Sequence, residues 1–430
     1  MKLEARVFKT DLAIIGSGLA GFAASTFALD RGIQTTQAGN TGALAYTTGY
    51  LDLMGSATTN NHRPVEDPWA EISDLAQAES NHPLARIPES DIQEAFEKFT
   101  AFLGECGIAY SLPGKKNVNA LTPAGTVKKT LCVPATMQAG VDAFSNKTRC
   151  VVIDFKGLRG FSARQVAANI KDQWPGLQAK RIIFPGMETG EIYPEVMARA
   201  LEVADCRQEL AERILAVVGD AEVVGLPAVL GMHEPDKMLA DMQKRLGLPV
   251  FEIPTMPPAV PGIRLREIFE QVFPQKGLTL IPQQKVKNVE FGSDCVTLEL
   301  ADNFGPITIK ANTVIMATGR FLSGGLEADN ERVIEPLLNL PVTQPGSREE
   351  WYQKQYMDKQ GHAVNKCGIE VDDSFRPLGK DGCPADERLF AAGVLLAHQD
   401  WIRGRCGAGV AIASAYKAVE FAHQYLRGNN

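Results

Sequence analysis

The stretch Gly16-Ser17-Gly18-Leu19-Ala20-Gly21 limits what this chain can fold into more than any other. It follows the apolar run Leu12-Ala13-Ile14-Ile15, which reads as a buried strand, and leads into Phe22 to Leu29, which reads as a helix. G-x-G-x-x-G between a strand and a helix is the turn that accepts the phosphates of a dinucleotide. Gly16 permits the tight turn, Gly18 lets a pyrophosphate approach the backbone, and Gly21 lets the helix pack on the strand. Leu19 and Ala20 complete the turn at the helix N-terminus, which faces the phosphates.

The next strand of such a unit should be Ile33 to Ala38. An acidic residue about 20 positions after the glycines normally binds an adenosine ribose. Here Gln37 stands in that region, and no Asp or Glu follows until Asp52. A Gln amide both donates and accepts, so Gln37 is the candidate for that contact. Beyond it, the glycine-punctuated loop Gly39 to Leu53, with Thr47, Thr48 and Gly49, has the unobstructed backbone that approaches ligands closely.

The C-terminal third returns to the same theme. Leu278 to Ile281, Lys285 to Phe291 with Val286, Val296 to Leu300 and Ile307 to Ile309 form a strand and an antiparallel meander. A last strand, Thr313 to Met316, ends in Ala317-Thr318-Gly319. Leu389 to Leu396, containing Gly393, reads as one more strand, and Gly407-Ala408-Gly409 opens a helix from Val410 to Tyr425. Free N–H groups at such a helix start favour a ligand with developing negative charge, as on a reduced flavin. The N-terminal and C-terminal thirds thus belong to one split domain.

Between them, Val151 to Phe155 with a helix from Ala163 to about Trp174, further strands at Arg181–Phe184 and Val223–Pro227, and a helical stretch from Glu195 to Val218 make an α/β domain of its own. Phe251 to Gly262 is too rich in proline for regular structure, and a helix restarts at Ile263. Gly157-Leu158-Arg159-Gly160 does not supply a second dinucleotide motif, so a nicotinamide cofactor is not expected.

Composition narrows the function classes. With 45% hydrophobic residues, 22% charged residues and a formal charge of −7, the chain is ordinary globular material with no basic field for nucleic acid. The start of the chain lacks a signal-peptide pattern, and no apolar segment reaches the roughly 18 residues of a membrane span. Membrane association is therefore expected only through a partner. The 8 cysteines are scattered singly, without metal or cluster spacing, and read as reduced thiols in a cytoplasmic protein.

Taken together, the chain resembles the glutathione-reductase-like flavoproteins of the fumarate-reductase type. Over nearly its whole length it resembles the B-subunit family of anaerobic glycerol-3-phosphate dehydrogenases. That likeness rests on the glycine turn, Thr48–Leu53, Pro254-Thr255-Met256-Pro257-Pro258, Gly262–Leu265, Phe321-Leu322-Ser323-Gly324-Gly325-Leu326 and Cys406–Val410. It implies an α/β fold in which a glutathione-reductase-like, Rossmann-type flavin domain (1–60, 275–330 and 385–430) carries an inserted α/β cap or interface domain (61–274). Residues 331–384 would then be a connecting segment.

The resemblance further implies that a flavin-bearing chain works beside two others, one that oxidises glycerol 3-phosphate and one that carries iron–sulfur clusters. The complex would sit at the inner face of the cell membrane, with electrons passing toward quinone. The family is described as using FMN, whereas the glycine turn and meander suit FAD.

Catalytic candidates are few. His398 lies in the loop joining the ligand strand to the ligand helix, where a proton-transfer residue or an ordinary surface histidine would both fit. Arg403 and Arg405, and Arg264 after the prolines, are candidates to bind an anionic substrate or to form plain ion pairs. No metal site is expected. Two other roles stay open, a stand-alone flavin-dependent oxidoreductase and a degenerate structural member of the complex.

Overall fold

The computed structural model describes residues 6–41, 43–57, 63–356, 358 and 360–428. The start of the chain, Gly42 and His62 lie outside them. The chain divides into two compact units, one of Met1–Ala43, Asp52–Phe99 and Phe269–Asn430, the other of Leu44–Leu51 and Thr100–Ile268.

The first unit is built on strand β1 (Arg6–Ser17), helix α1 (Leu19–Asp30) and strand β2 (Thr35–Thr41). Much later come β3 (Thr279–Pro282), β4 (Asn288–Phe291), β5 (Val296–Asp302), β6 (Gly305–Met316), β7 (Leu389–Ala391) and the long helix α2 (Gly407–Gly428). They form one sheet in the order β4-β5-β6-β1-β2-β3, with β7 also on β6. From β3 to β7 the pairing is parallel, and the meander β4-β5-β6 is antiparallel. One edge of β6 is shared: Gly305 to Ala311 pair with β5, and Val314 to Met316 pair with β7.

Parallel strands are covered on both faces, and the run Leu12–Ile15 is accordingly buried. Helix α1 is buried from Ala20 to Ala28 without a polar face, as an interior helix must be. Its Phe22 ring stacks on Phe269 at 4.5 Å and 10°, and its Phe27 meets the edge of Tyr416 on α2 at 5.2 Å. Each such aromatic contact adds roughly 0.5–1.5 kcal/mol beyond area burial.

The second unit has its own four-stranded parallel sheet, in the spatial order Leu177–Ile182, Cys150–Phe155, Val223–Pro227 and Val250–Ile253. One face is packed around Ile153, Phe184, Met197 and Leu226, the other around Val152, Trp174 and Phe251.

Four local expectations change. The helical stretch after Glu195 is two helices, Pro194–Ala200 and Ala204–Leu215. The break is held by Arg207, which donates to the Leu201 carbonyl at 2.7 Å. The proline-rich run is regular at both ends: Phe251 to Ile253 lie in a strand, and the helix begins at Val260, because Pro261 in its first turn needs no N–H partner there. Strand β7 stops at Ala391, since Gly393 turns the chain with φ +82° into a short 3-10 turn, Gly393–Leu395. Finally, β2 runs on to Thr41, which leaves Gln37 in mid-strand opposite Ile14.

Candidate cofactor site

The glycine turn is held by contacts that forbid side chains at two of its three glycines. Gly16 has φ +132°, and a Cβ on it would stand 2.2 Å from the Ala317 carbonyl oxygen at the end of β6. A Cβ on Gly21 would stand 2.1 Å from the Gly16 carbonyl oxygen. Gly18 differs: a Cβ there would meet nothing within 4 Å. No protein atom requires glycine at position 18, and the space beside it is where a phosphate would approach the backbone at the start of α1.

Gln37 is not a ribose ligand. It is fully buried, its Nε2 donates to the Gly16 carbonyl at 2.7 Å, and its Oε1 accepts from Ser25 Oγ at 2.8 Å. Both ends of the amide brace the turn from behind. The C-terminal end of β2 is Gly39-Asn40-Thr41, and a Cβ on Gly39 would lie 2.6 Å from Ser17 N. No carboxylate is offered to a ribose from this strand.

Ala317, Thr318 and Gly319 continue from β6 directly behind Gly16, with the Ala317 N–H on the Ile15 carbonyl at 2.8 Å. Gly319 turns with φ +70°, and Ser323 Oγ donates to the Thr318 carbonyl at 2.7 Å. Gly393 closes the arrangement from β7: a Cβ on it would be 2.6 Å from the Ala20 Cβ. Its N–H donates to Ser414 Oγ on α2 at 2.8 Å. Val286 is buried in the stretch between β3 and β4, which is tied to β2 by the Gln284 N–H on the Gly39 carbonyl at 3.2 Å.

At the start of α2, the Gly409 N–H is already spent on the Asp52 carbonyl at 2.7 Å. A Cβ on Gly409 would be 2.7 Å from the Leu53 carbonyl oxygen, so this glycine serves packing. The N–H groups of Gly407 and Ala408 have no acceptor among the described residues and keep the positive end of the helix open.

His398 has left-handed backbone, φ +64°, and its Nε2 lies 2.5 Å from Glu370 Oε1. The same oxygen accepts from Thr343 Oγ1 at 2.9 Å. Such a carboxylate fixes ring orientation and leaves Nδ1 for other use. Arg403 and Arg405 have no ion pair among the described residues; the first packs its stem near Gly361, and the second is exposed at the end of the short helix Trp401–Gly404.

Nearby, His82 is buried, and its Nδ1 accepts the Leu84 N–H at 3.1 Å. Burial pushes its imidazole down to about 3, and the Lys366 ammonium acts in the same direction.

The other candidates lie in the second unit. The Gly49 carbonyl accepts from Tyr110 Oη at 2.8 Å, and a Cβ on Gly49 would be 2.8 Å from Pro261. Thr47 Oγ1 donates to the Leu44 carbonyl at 3.0 Å, and Thr48 stands between these two anchored positions.

Arg264 does not face a substrate. It is 2% exposed and forms a bidentate pair with Glu252, at 2.7 and 2.8 Å, while its Nε donates to the Gly231 carbonyl at 2.8 Å. Burial would raise the Glu252 carboxyl, but the charge and hydrogen bonds of Arg264, together with the Leu230 N–H, outweigh it and hold the carboxyl below its usual range.

The residues fit a flavin's phosphates. Besides the open side of Gly18, Ser17 Oγ and Thr318 Oγ1 are buried hydroxyls without a protein partner. Ser17 carries no signal beyond its place in the turn, Ser414 none beyond its place on α2, and Glu370 none at all in local spacing.

A strand–turn–helix phosphate site backed by a parallel sheet, with a second open helix start in the same unit, defines a dinucleotide-type flavoprotein. The chain belongs to the FAD binding domain family, which matches residues 11–410. FAD is therefore its flavin.

The chain is similar to the B subunit of anaerobic glycerol-3-phosphate dehydrogenase from Yersinia pseudotuberculosis serotype I, with 29% identity over 96% of this chain and 97% of that one. The protein of the same name from Aliivibrio fischeri strain MJ11 is also 29% identical, over 98% and 96%. Among solved structures, the 3-ketosteroid delta1-dehydrogenase of Sterolibacterium denitrificans aligns with 97% of this chain and 100% of that one, at 10% identity and a TM-score of 0.44. At that distance the alignment carries no argument.

Proposed function

We propose that this chain is the flavin-bearing member of an anaerobic glycerol-3-phosphate dehydrogenase, whose complex oxidises glycerol 3-phosphate to dihydroxyacetone phosphate. One observation carries the reading: likeness to the B subunit of such an enzyme at 29% identity across 96% of this chain and 97% of the relative. In this reading a separate glycerol-3-phosphate-oxidising chain delivers electrons, and an iron–sulfur chain passes them toward quinone at the cytoplasmic face of the membrane. The singly scattered cysteines favour placing the cluster on another chain. Among the described residues, no helix is long and apolar enough to cross a membrane.

Bound FAD supplies the two-electron chemistry and the exchange with one-electron carriers. The chain's own residues bind and orient it. The turn Gly16–Gly21, with Ser17 Oγ, would hold the phosphates, and Thr318 Oγ1 and Gly319 would line the same cleft. The open N–H groups of Gly407 and Ala408 would favour negative charge at the ring. The unit of residues 100–268 serves as the interface for a partner.

Anaerobic mixing of the purified, FAD-loaded chain with glycerol 3-phosphate tests the relay role. The flavin absorbance should bleach at a turnover-competent rate only when the substrate-oxidising partner is added. Rapid bleaching of the chain alone would show it to be the catalyst. That second reading is favoured by one observation, the His398 ring held by Glu370 at 2.5 Å as a proton acceptor needs to be. Folded protein that yields no flavin on heating would mark a degenerate, structural role in the complex.

A further inference from the structure

Arg320 follows Thr318-Gly319 directly, yet it is 8% exposed and faces no carboxylate. Its Nε donates to the Val394 carbonyl at 2.5 Å, and its Nη2 to the carbonyls of Leu396 at 3.2 Å and Gln399 at 3.1 Å. Its Nη1 donates to the Asn365 carbonyl. Asp400 is the carboxylate near enough to act on it through space, but its oxygens accept from the N–H groups of Ile402 and Arg403 and from the Asn365 amide, not from the guanidinium. Burial lowers the guanidinium to about 10, so it stays charged at neutral pH.

A buried cation that no carboxylate hydrogen-bonds is costly. Two features of its position suggest what its role is. The rigid fork of a guanidinium can hold several carbonyls in fixed directions, which a single ammonium cannot. Here it grips Val394, Leu396 and Gln399, in the segment that leads from Gly393 to the loop before α2. Its charge is fixed one residue beyond Gly319 and on the carbonyl one residue beyond Gly393, the two glycines that flank the FAD turn. Inside a protein such a charge is poorly screened.

We propose that Arg320 is a positioning residue that locks the segment Val394–Gln399 and that its charge, bonded to carbonyls and not to a carboxylate, raises the reduction potential of the bound FAD. The charge favours the reduced cofactor because reduction makes the flavin more negative. The proposal rests on FAD binding alone and holds for either source of electrons.

Two substitutions separate the parts. Arg320→Lys keeps the charge and loses the fork, whereas Arg320→Met loses both. In the FAD-loaded chain, R320M should move the oxidised-to-reduced equilibrium at least tenfold toward the oxidised form, about 30 mV for a two-electron couple. R320K should move it less than threefold. Amide hydrogen exchange over residues 394–399, measured with and without FAD, should rise at least tenfold in both.

An unchanged flavin equilibrium in R320M overturns the electrostatic role, and unchanged exchange in R320K overturns the positioning role. Should R320M not fold, R320K decides. Faster exchange with the potential retained supports the proposal, and a tenfold shift of the equilibrium toward the oxidised form with the charge still present refutes it.

Discussion

The Gly16 carbonyl oxygen is shared between two demands: it accepts the Gln37 amide at 2.7 Å, and it leaves only 2.1 Å for any Cβ on Gly21. The turn is therefore clamped on its inner side and open at Gly18.

Gly21→Ala and Gly18→Ala should consequently fail in different ways. The first forces the helix off the strand and should cost about 1–3 kcal/mol as an overpacking change, with loss of FAD. The second meets no protein atom and should change stability by less than about 1 kcal/mol while still losing FAD. Urea unfolding and flavin absorbance after gel filtration distinguish them. A Gly18→Ala chain that retains FAD like the parent would remove the phosphate role of this turn.

Breaking the Arg264–Glu252 pair should be severe and pH-dependent. Because Glu252 titrates below its usual range in the folded protein, the pair stabilises above the carboxylate range and the contribution is lost as pH falls through the depressed value. Arg264→Met should cost about 3–5 kcal/mol at pH 7, since it strands a buried carboxylate. With Arg264 gone, burial outweighs the Leu230 N–H and raises that carboxyl, so the variant should gain stability from pH 7 to pH 5. Adding Glu252→Gln should recover much of the loss in thermal unfolding.

His82 gives a second experiment of the same sign. Its folded value of about 3 lies below the ordinary 6.5, so its contribution is complete above about pH 6.5 and declines as pH falls toward 3. The slope from this one group is about 1.4 kcal/mol per pH unit inside that window. His82→Asn keeps an acceptor for the Leu84 N–H and should flatten the stability profile between pH 6 and pH 4. An unaltered slope in urea titrations would show that His82 protonates freely in the folded chain.

If the chain itself oxidises substrate, His398→Gln should slow flavin reduction about 10²–10⁴-fold with FAD content unchanged. Glu370→Gln should act through the ring, displacing the pH profile of reduction more than it lowers the plateau. Stopped-flow reduction across pH 6–9 measures both. Equal rates in parent and His398→Gln would leave the relay role as the sole account.

The glycine turn and the strands around it are legible in the sequence because a local pattern and a local geometry coincide: apolar run, glycines, apolar run. Gln37 is misplaced by spacing along the chain, which ignores the direction in which a strand residue points. Opposite Ile14, it faces the Ser25 side of α1 rather than the strand end. Arg264 looks like a free anion ligand because a buried partner twelve residues away in the chain, Glu252, leaves no mark in composition. Glu370 lies 28 positions before His398, beyond any helical or strand period, so only the folded chain joins them.

The divided edge of β6 has a practical meaning for shortening this protein. On β6 the meander strand β5 pairs with Gly305 to Ala311, while pairing with β7 begins only at Val314. Excising β4 and β5 would spare the register beside Gly16 and uncover a row of unpaired backbone amides and carbonyls. Such a bare rim recruits strands from other molecules. The meander is thus a selvage, the woven border that keeps this sheet from joining its neighbours.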